Sequence, residues 1–569
     1  MIRPPAPKST AKHPTPQGGH NRDRARARLA IGALVFGIVY AVIGVRLASF
    51  AFEADPIQRM ARAGDITIKA ARPDITDRNG ELLATDLISA SLYAEPRKIL
   101  DADEAVELIT AVMPDLNADR LRKRLTADRA FIWLKRELTP RQQAEIHGLG
   151  LPGVGFRREN RRVYPSGPTV SHVVGHVNVD NRGIAGIEKY LDDRGLMDLH
   201  GMGFALDRAQ KPVALSIDMR AQHALRDELH MAMERHKAKA AAGVVLDVKT
   251  GEVVAMTSLP DYNPNQPKTA LDPEAINRMT TGVYEMGSTF KAFTVAMALD
   301  TGRISMNDRY DARKPLRVAR HTINDFHAQR RILTVPEIFK HSSNIGTARM
   351  ALDVGIEGQK SFLRRLGLLD RLETELPEAA DPMYPRDWRQ INAMTISFGH
   401  GISVAPLQMA AAAGALVNGG TYIPPTFLPR TETEAEQMGV QVLEESTSDA
   451  MRYLMRLNVD DGTAGKADRP GYRVGGKTGT AEKVVNGRYS KKKLLTSFLG
   501  TFPSDDPRFV VLIMLDEPKG TKETHGFATS GWNAAPTAGY VIGRIAPILG
   551  VMPKHENRER KPDALYISY

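Results

Sequence analysis

The sequence predicts an α+β fold: a single N-terminal transmembrane helix, a mixed α/β domain, then a larger domain whose antiparallel sheet is sandwiched by helices. Three observations predict it. Leu29–Val45 is an apolar run without charge, and Leu47–Phe52 extends it past Arg46. Val244–Val248, Val253–Met256, Phe498–Phe502 and Phe509–Leu515 are short strand-like runs, mostly joined by tight turns. Helix-like runs at Thr289–Leu299, Gln408–Leu416 and Ala534–Ile548 would cover that sheet.

Residues 1–28, rich in Pro, Arg and Ala, read as a disordered basic tail. The span at 29–52 is long enough for a bilayer, where about 20 apolar residues suffice. Arg22, Arg24, Arg26 and Arg28 precede it directly, which keeps the N-terminus cytoplasmic and puts the bulk of the chain outside. Ser49-Phe50-Ala51 offers a small-x-small site for a cleaved signal, but the apolar stretch is long for one. Residues 53–210 mix short strands and helices, with a turn at Asp77-Arg78-Asn79-Gly80 and helices over Ala105–Met113 and Arg141–Ile146. A boundary falls around Asp207–Lys211. The second domain, 211–550, begins with Ala214–Ile217 and the helix-like Asp218–Arg235, and 551–569 form a C-terminal tail.

The 569 residues are 42% hydrophobic and 25% charged, a globular balance with ample chain for large cores. The net charge of +11 is split among the tail, Arg157–Arg162, Lys491–Lys493 and Lys554–Lys561, with no nucleic-acid module beside any of them. Without cysteine there are no disulfides, thiolate metal sites or thiol nucleophiles. No H-E-x-x-H, Walker loop or paired-histidine pattern occurs, so no metal or organic cofactor is implied. Gly148–Gly153 matches G-x-G-x-x-G, but it follows a helix-like stretch and carries Pro152, so it is set aside.

Chemistry enters with three triplets in order: Ser288-Thr289-Phe290-Lys291, Ser342-Ser343-Asn344 and Lys477-Thr478-Gly479. Together they describe serine acyl transfer. A serine hydroxyl needs a base, and a lysine three residues on lies on the same helix face. That lysine acts as a base only if burial or a second cation, here Lys477, depresses its pKa. Ser342 and Asn344 supply a proton relay and an amide partner. Lys477, with Thr478 or Thr480 on a Gly-rich strand through Gly479, suits a substrate carboxylate. Gly287 and the helix-like run after it place Ser288 at a helix N-terminus.

Each triplet alone is weak, and the chain holds decoys. Ser9-Thr10-Ala11-Lys12 lies in the polar tail, and Ser490–Lys493 reads as a solvated turn after Asn486-Gly487. Ser305-Met306-Asn307 lies too close behind the Ser288 helix, and Lys249-Thr250-Gly251 reads as a hairpin turn. Ser288, Ser342 and Lys477 stand 54 and 135 residues apart, room for a helical insert and a return to the sheet.

The three triplets are the shared signature of penicillin-binding proteins and active-site serine β-lactamases. With them in place, the chain resembles class B penicillin-binding proteins of the division-specific FtsI type. Arg72–Gly80 resembles the family's first pedestal motif, with Pro73 where glycine is usual. Arg162–Gly167 and Gly183–Glu188 are similar to its later pedestal motifs. Tyr284–Ser288 matches the approach to the nucleophile except for Met286 in place of proline. Ser397–Gly401 before Pro406-Leu407-Gln408 resembles its Gly-rich stretch, with His400 at a variable position. The likeness covers about residues 29–545.

The resemblance implies a pedestal followed by a penicilloyl-serine transferase domain. It implies D,D-transpeptidation of peptidoglycan stem peptides ending in D-Ala-D-Ala, on nascent glycan strands at the septum, with β-lactams as inhibitors. An FtsW-type glycan polymerase and other divisome membrane proteins are the implied partners, at the inner membrane. Ser288, Lys291, Ser342, Asn344 and Lys477 are the implied catalytic residues; Thr478, Gly479 and Thr480 bind substrate. Two other readings compete: a carboxypeptidase or β-lactamase-type hydrolase using the same acyl-enzyme, and a membrane scaffold with a vestigial site.

Overall fold

A computed structural model of the chain describes residues 34, 36–45, 72–195, 211–318, 321–485 and 487–554. The chain divides into two compact units, 1–68 and 69–569. In the first, residues 36–45 are helical and Phe36, Ile38, Tyr40, Val42 and Val45 are all exposed. Among the described residues no helix is long and apolar enough to cross a membrane. The tail 1–28, the rest of the expected span 29–52, most of the Asp207–Lys211 boundary and residues 555–569 lie outside the described residues.

The second unit begins with a sheet of β1 (Ile75–Thr76), β2 (Leu82–Ala94), β3 (Ile132–Leu138) and β4 (Val154–Val163), with β3 and β4 both antiparallel to β2. Helices α1 (Ala102–Val112), α2 (Ala118–Leu125) and α3 (Pro140–Gly148) bury Ile109, Leu121 and Ile146 against Leu92 and Leu134 of that sheet. Their starts follow from side-chain caps: Asp101 and Asn117 accept from first-turn N–H groups, and Thr139 with Gln142 forms a capping box. Then comes α4 (Gly186–Asp193), and β5 (Val213–Ala214) pairs in parallel with β1.

The larger part opens with α5 (Met219–Arg235), which Asp218 caps. Strands β6 (Ala240–Asp247) and β7 (Val253–Leu259) form the first hairpin. The insert that follows contains α6 (Lys291–Asp300), α7 (Asn344–Val354), α8 (Pro406–Val417) and α9 (Glu445–Asp461). Strands β8 (Gly475–Val485), β9 (Arg488–Phe502) and β10 (Phe509–Asp516) complete an antiparallel sheet of order β8-β9-β10-β6-β7, and α10 (Ala534–Ile548) closes the domain.

Alternation along the strands makes the three layers. Val245, Val511 and Ile513 face α5 and α10, whereas Val244, Leu512 and Met514 face the helices of the insert. Lys249–Gly251 is the expected hairpin turn: Asp247 Oδ1 accepts from the Lys249 N–H at 2.9 Å, and Gly251 takes φ 72°. The sequence expectation of a turn at Ser490–Lys493 is corrected: these residues belong to β9, where Ser490 pairs with Lys483 and Lys491–Lys493 form an exposed bulge before Leu494 pairs with Glu482. Polar strand residues without a buried face carry no apolar alternation to announce them.

Candidate active site

Ser288 lies in a 3-10 turn, Gly287–Phe290, that runs directly into α6. The expected helix start is therefore one tight turn plus a helix, with the Lys291 N–H donating to the Ser288 and Thr289 carbonyls. Gly287 takes φ 56°, and a Cβ there would come 2.9 Å from the Thr480 carbonyl oxygen. Glycine lets the turn press against β8. Ser288 is partly exposed while Thr289 and Phe290 beside it are buried.

Lys291, on the first residue of α6, is only 1% exposed. Its Nζ donates to Ser342 Oγ at 3.0 Å and to the Ser342 carbonyl oxygen. Burial pushes its pKa well below the usual lysine range; the Lys477 ammonium pushes the same way, and Asp325 opposes. Lys477 is wholly buried, 5.8 Å from the centre of the Phe339 ring, and burial lowers its pKa to about 7. Burial and charge repulsion thus act together on this pair of lysines, both of which have lowered pKa values.

Ser342 sits at φ 56°, an uncommon conformation for serine. Two neighbours hold it. Ser343 caps α7 by accepting from the Gly346 N–H at 3.0 Å. Asp325 accepts from Ser343 Oγ at 2.8 Å and from the Ile345 N–H at 2.9 Å. Asn344 donates to the Asn324 carbonyl at 2.8 Å.

The sheet ends at β8, whose outer edge faces the Ser288 turn. Asn458 Nδ2 donates to the Gly476 carbonyl at 2.8 Å, so Gly476 turns its backbone groups away from β9. The two-residue period of an antiparallel ladder then turns the N–H and C=O groups of Thr478 and Thr480 outward as well. Gly479 is forced by contact: a Cβ there would come 2.6 Å from the Met286 carbonyl. A turn bearing a partly exposed hydroxyl, a buried amine of lowered pKa, a second serine and the outer edge of a sheet are the parts of an acyl-transfer site.

All eight residues singled out in the sequence belong to this one region. The decoys do not: Ser305 follows the end of α6, Lys249 lies in the β6–β7 turn, Ser490 is on the exposed β9 ribbon, and Ser9 lies outside the described residues. Sequence reasoning missed Asp325, Asn458 and Thr463, whose Oγ1 lies 2.6 Å from Thr478 Oγ1. It also missed the tie from Glu285, which accepts from the Gly401 N–H at 2.8 Å and from Tyr489 Oη at 3.0 Å. No local pattern marks these residues, since each acts through a partner at least 15 positions away.

Residues 241–535 match the model of the penicillin-binding protein transpeptidase domain, and residues 67–195 match that of the penicillin-binding protein dimerisation domain. The chain is 45% identical over 499 residues to a protein of Caulobacter vibrioides named "Probable peptidoglycan D,D-transpeptidase FtsI", covering 86% of this chain and 83% of that one. The chain belongs to the FtsI-type penicillin-binding proteins. The Escherichia coli K12 protein named "Peptidoglycan D,D-transpeptidase FtsI" is 33% identical over 516 residues, 85% of each chain. The apo transpeptidase domain of Burkholderia pseudomallei penicillin-binding protein 3 superposes with a TM-score of 0.54 at 32% identity, covering 60% of this chain and 98% of that one. The two-domain penicillin-binding fold expected from the motifs is therefore the fold of this chain.

Proposed function

We propose that this chain is a serine peptidoglycan D,D-transpeptidase that cross-links stem peptides during septal wall synthesis and is acylated by β-lactams. The observation that carries it is the buried Lys291 hydrogen-bonded to Ser342, with Lys477 beside it, against the turn that presents Ser288. In this reading Ser288 attacks the carbonyl of the penultimate D-Ala after Lys291 takes its proton. Ser342 relays a proton to the departing terminal D-Ala, with Lys477 supporting the relay. Asn344 bonds the substrate amide, and the backbone N–H groups of Ser288 and Thr480 hold the oxyanion, at about 3 kcal/mol per donor. Lys477, Thr478 and Thr480 bind the terminal carboxylate, Gly479 keeps the strand close to the turn, and an amine from a second stem peptide then takes the acyl group.

The same reading divides the chain into a basic cytoplasmic tail (1–28), a membrane span (29–52), a pedestal (53–210), a transpeptidase domain (211–550) and a C-terminal tail (551–569). The arginine cluster before the span and the exposed apolar side chains of residues 36–45 support an inner-membrane anchor with the bulk of the chain periplasmic. An FtsW-type glycan polymerase and other divisome membrane proteins are the partners this placement suits.

Intact mass after incubation with benzylpenicillin, beside Ser288→Ala, tests the reading. A stable adduct on Ser288, absent from the variant, is the expected result. An intact drug without adduct favours a scaffold, and a consumed drug without adduct favours a hydrolase.

A further inference from the structure

Two turns meet on the Thr478 and Thr480 side of β8, away from the lysines. Thr463 Oγ1 lies 2.6 Å from Thr478 Oγ1, and the Ser530 N–H donates to Thr480 Oγ1 at 3.1 Å. The turns also touch each other: a Cβ on Gly531 would come 3.0 Å from the Thr463 carbonyl oxygen. Just beyond that contact, Lys466 rests on Trp532, its Nζ 2.9 Å from the ring centroid, and Phe527 stacks on the same ring at 5.5 Å. Lys466 is exposed, and among the described residues it has no ion pair. Contact with the indole lowers the Lys466 pKa by desolvation, but the ring face supplies no counter-charge, so the exposed ammonium is left to pair with an anion.

The proposed reaction says what meets that cation. The donor peptide ends in a carboxylate at Thr478 and Thr480, so no part of it extends past them. The acceptor is different. Its amine must reach the same acyl carbon along the path the terminal residue left, because attack and departure are the same step in opposite directions. The acceptor nitrogen forms the new C–N bond, the ester C–O bond to Ser288 breaks, and the amine proton ends on Ser288 Oγ. With its amine there, the rest of the acceptor continues past the threonine pair and onto the two turns.

We propose that Lys466, held on Trp532, determines acceptor specificity by pairing with a second carboxylate on the incoming amine, beyond the one at the threonine pair. The inference rests on the transpeptidase reading. A donor-only activity has no use for a fixed cation past the end of the donor, whereas an amine acceptor with a distal carboxylate does.

The test uses the full-length protein, a synthetic stem peptide ending in D-Ala-D-Ala, and D-glutamate or D-glutamine as acceptor. Both acceptors carry the same amine and α-carboxylate and differ only at the distal group. The readout is the ratio of the two transfer products by mass, which cancels any change in acylation. Wild type is expected to favour D-glutamate. Lys466→Gln is expected to lower that ratio about tenfold, the worth of one charge-assisted hydrogen bond. Lys466→Arg should keep the preference, and Trp532→Leu should raise the KM for D-glutamate more than it lowers kcat. A ratio unchanged in Lys466→Gln, or no preference in a wild type that does acylate, overturns this inference alone. A wild type that forms no acyl-enzyme overturns the transpeptidase reading and this inference with it.

Discussion

In the proposed mechanism Lys291 serves Ser288 only when neutral, so what makes it neutral would set the pH dependence of acylation. Its folded pKa is depressed, first by burial and then by Lys477. The neutral fraction grows as pH rises through that pKa, so the acylation rate rises with pH. Lys477→Met removes the neighbouring cation and should move the rising limb to higher pH, besides slowing the reaction. Second-order rates with benzylpenicillin across neutral and alkaline pH check this, and a limb that stays in place refutes it. In the same mechanism Ser288→Ala and Lys291→Ala should each abolish most acylation, and the double variant should lose little more, as expected of two residues acting as one unit. Losses that add would show two independent roles. These residues were legible in the sequence because their types and spacing are dictated by the chemistry. Asp325 was not, because it works by holding Ser343 and Ile345 across 18 and 20 positions of chain.

At the scale of elements, the segment before α7 is set by that aspartate. Ser342 keeps its positive φ between Lys291 on one side and the cap of α7 on the other. Asp325→Ala should strand Ser343 Oγ and the Ile345 N–H at a cost of about 1–3 kcal/mol. Acylation should fall with it, since the Ser342 hydroxyl loses its fixed position. Asp325→Asn keeps one acceptor oxygen and should lose less in a urea titration; equal losses would mean the carboxylate's two bonds are not what holds the turn. The apolar strands of the sheet were legible as short runs ended by turn residues, as Val253–Leu259 and Phe509–Asp516 show, whereas β8 was legible only from the Gly, Thr and Val around Lys477, and the polar start of β9 was not. The strand order was not, since β10 pairs with β6 more than 250 positions earlier, and nothing local encodes such a pairing. Nor was the 3-10 turn at Ser288: its form is imposed by the close approach of Gly287 to Thr480 and of Gly399 to Gly287.

At the scale of the molecule, a buried ion cluster ties the first residues of the large unit into it. Glu188, wholly buried, accepts from Arg72 Nε at 2.8 Å and from Arg162 Nε at 2.6 Å, and Arg162 also reaches Asp86 at 3.3 Å. Arg72 comes 116 positions before Glu188, so the cluster fixes the strand entering β1 against α4. The residues that follow carry the restraint onward. Asp77 accepts from the Met219 N–H at 3.1 Å, Asn79 donates to Asp218 at 3.2 Å, and Arg78 pairs with Glu252. The pedestal is thereby fastened at the start of α5, on which one face of the sheet packs. Glu188→Gln removes the carboxylate shared by two buried guanidinium groups, but Arg72 keeps Asp192 and Arg162 keeps Asp86, so the loss should stay below about 3–5 kcal/mol, the cost of a fully broken buried pair. The urea midpoint should fall accordingly. Acylation of Ser288 in the molecules still folded should proceed at the wild-type rate, because no link of the cluster touches Lys291, Ser342 or β8. An unchanged midpoint would show that the cluster does not hold the pedestal. A slowed acylation at full folding would show instead that the fastening at Asp77–Asn79 reaches the active site through the sheet.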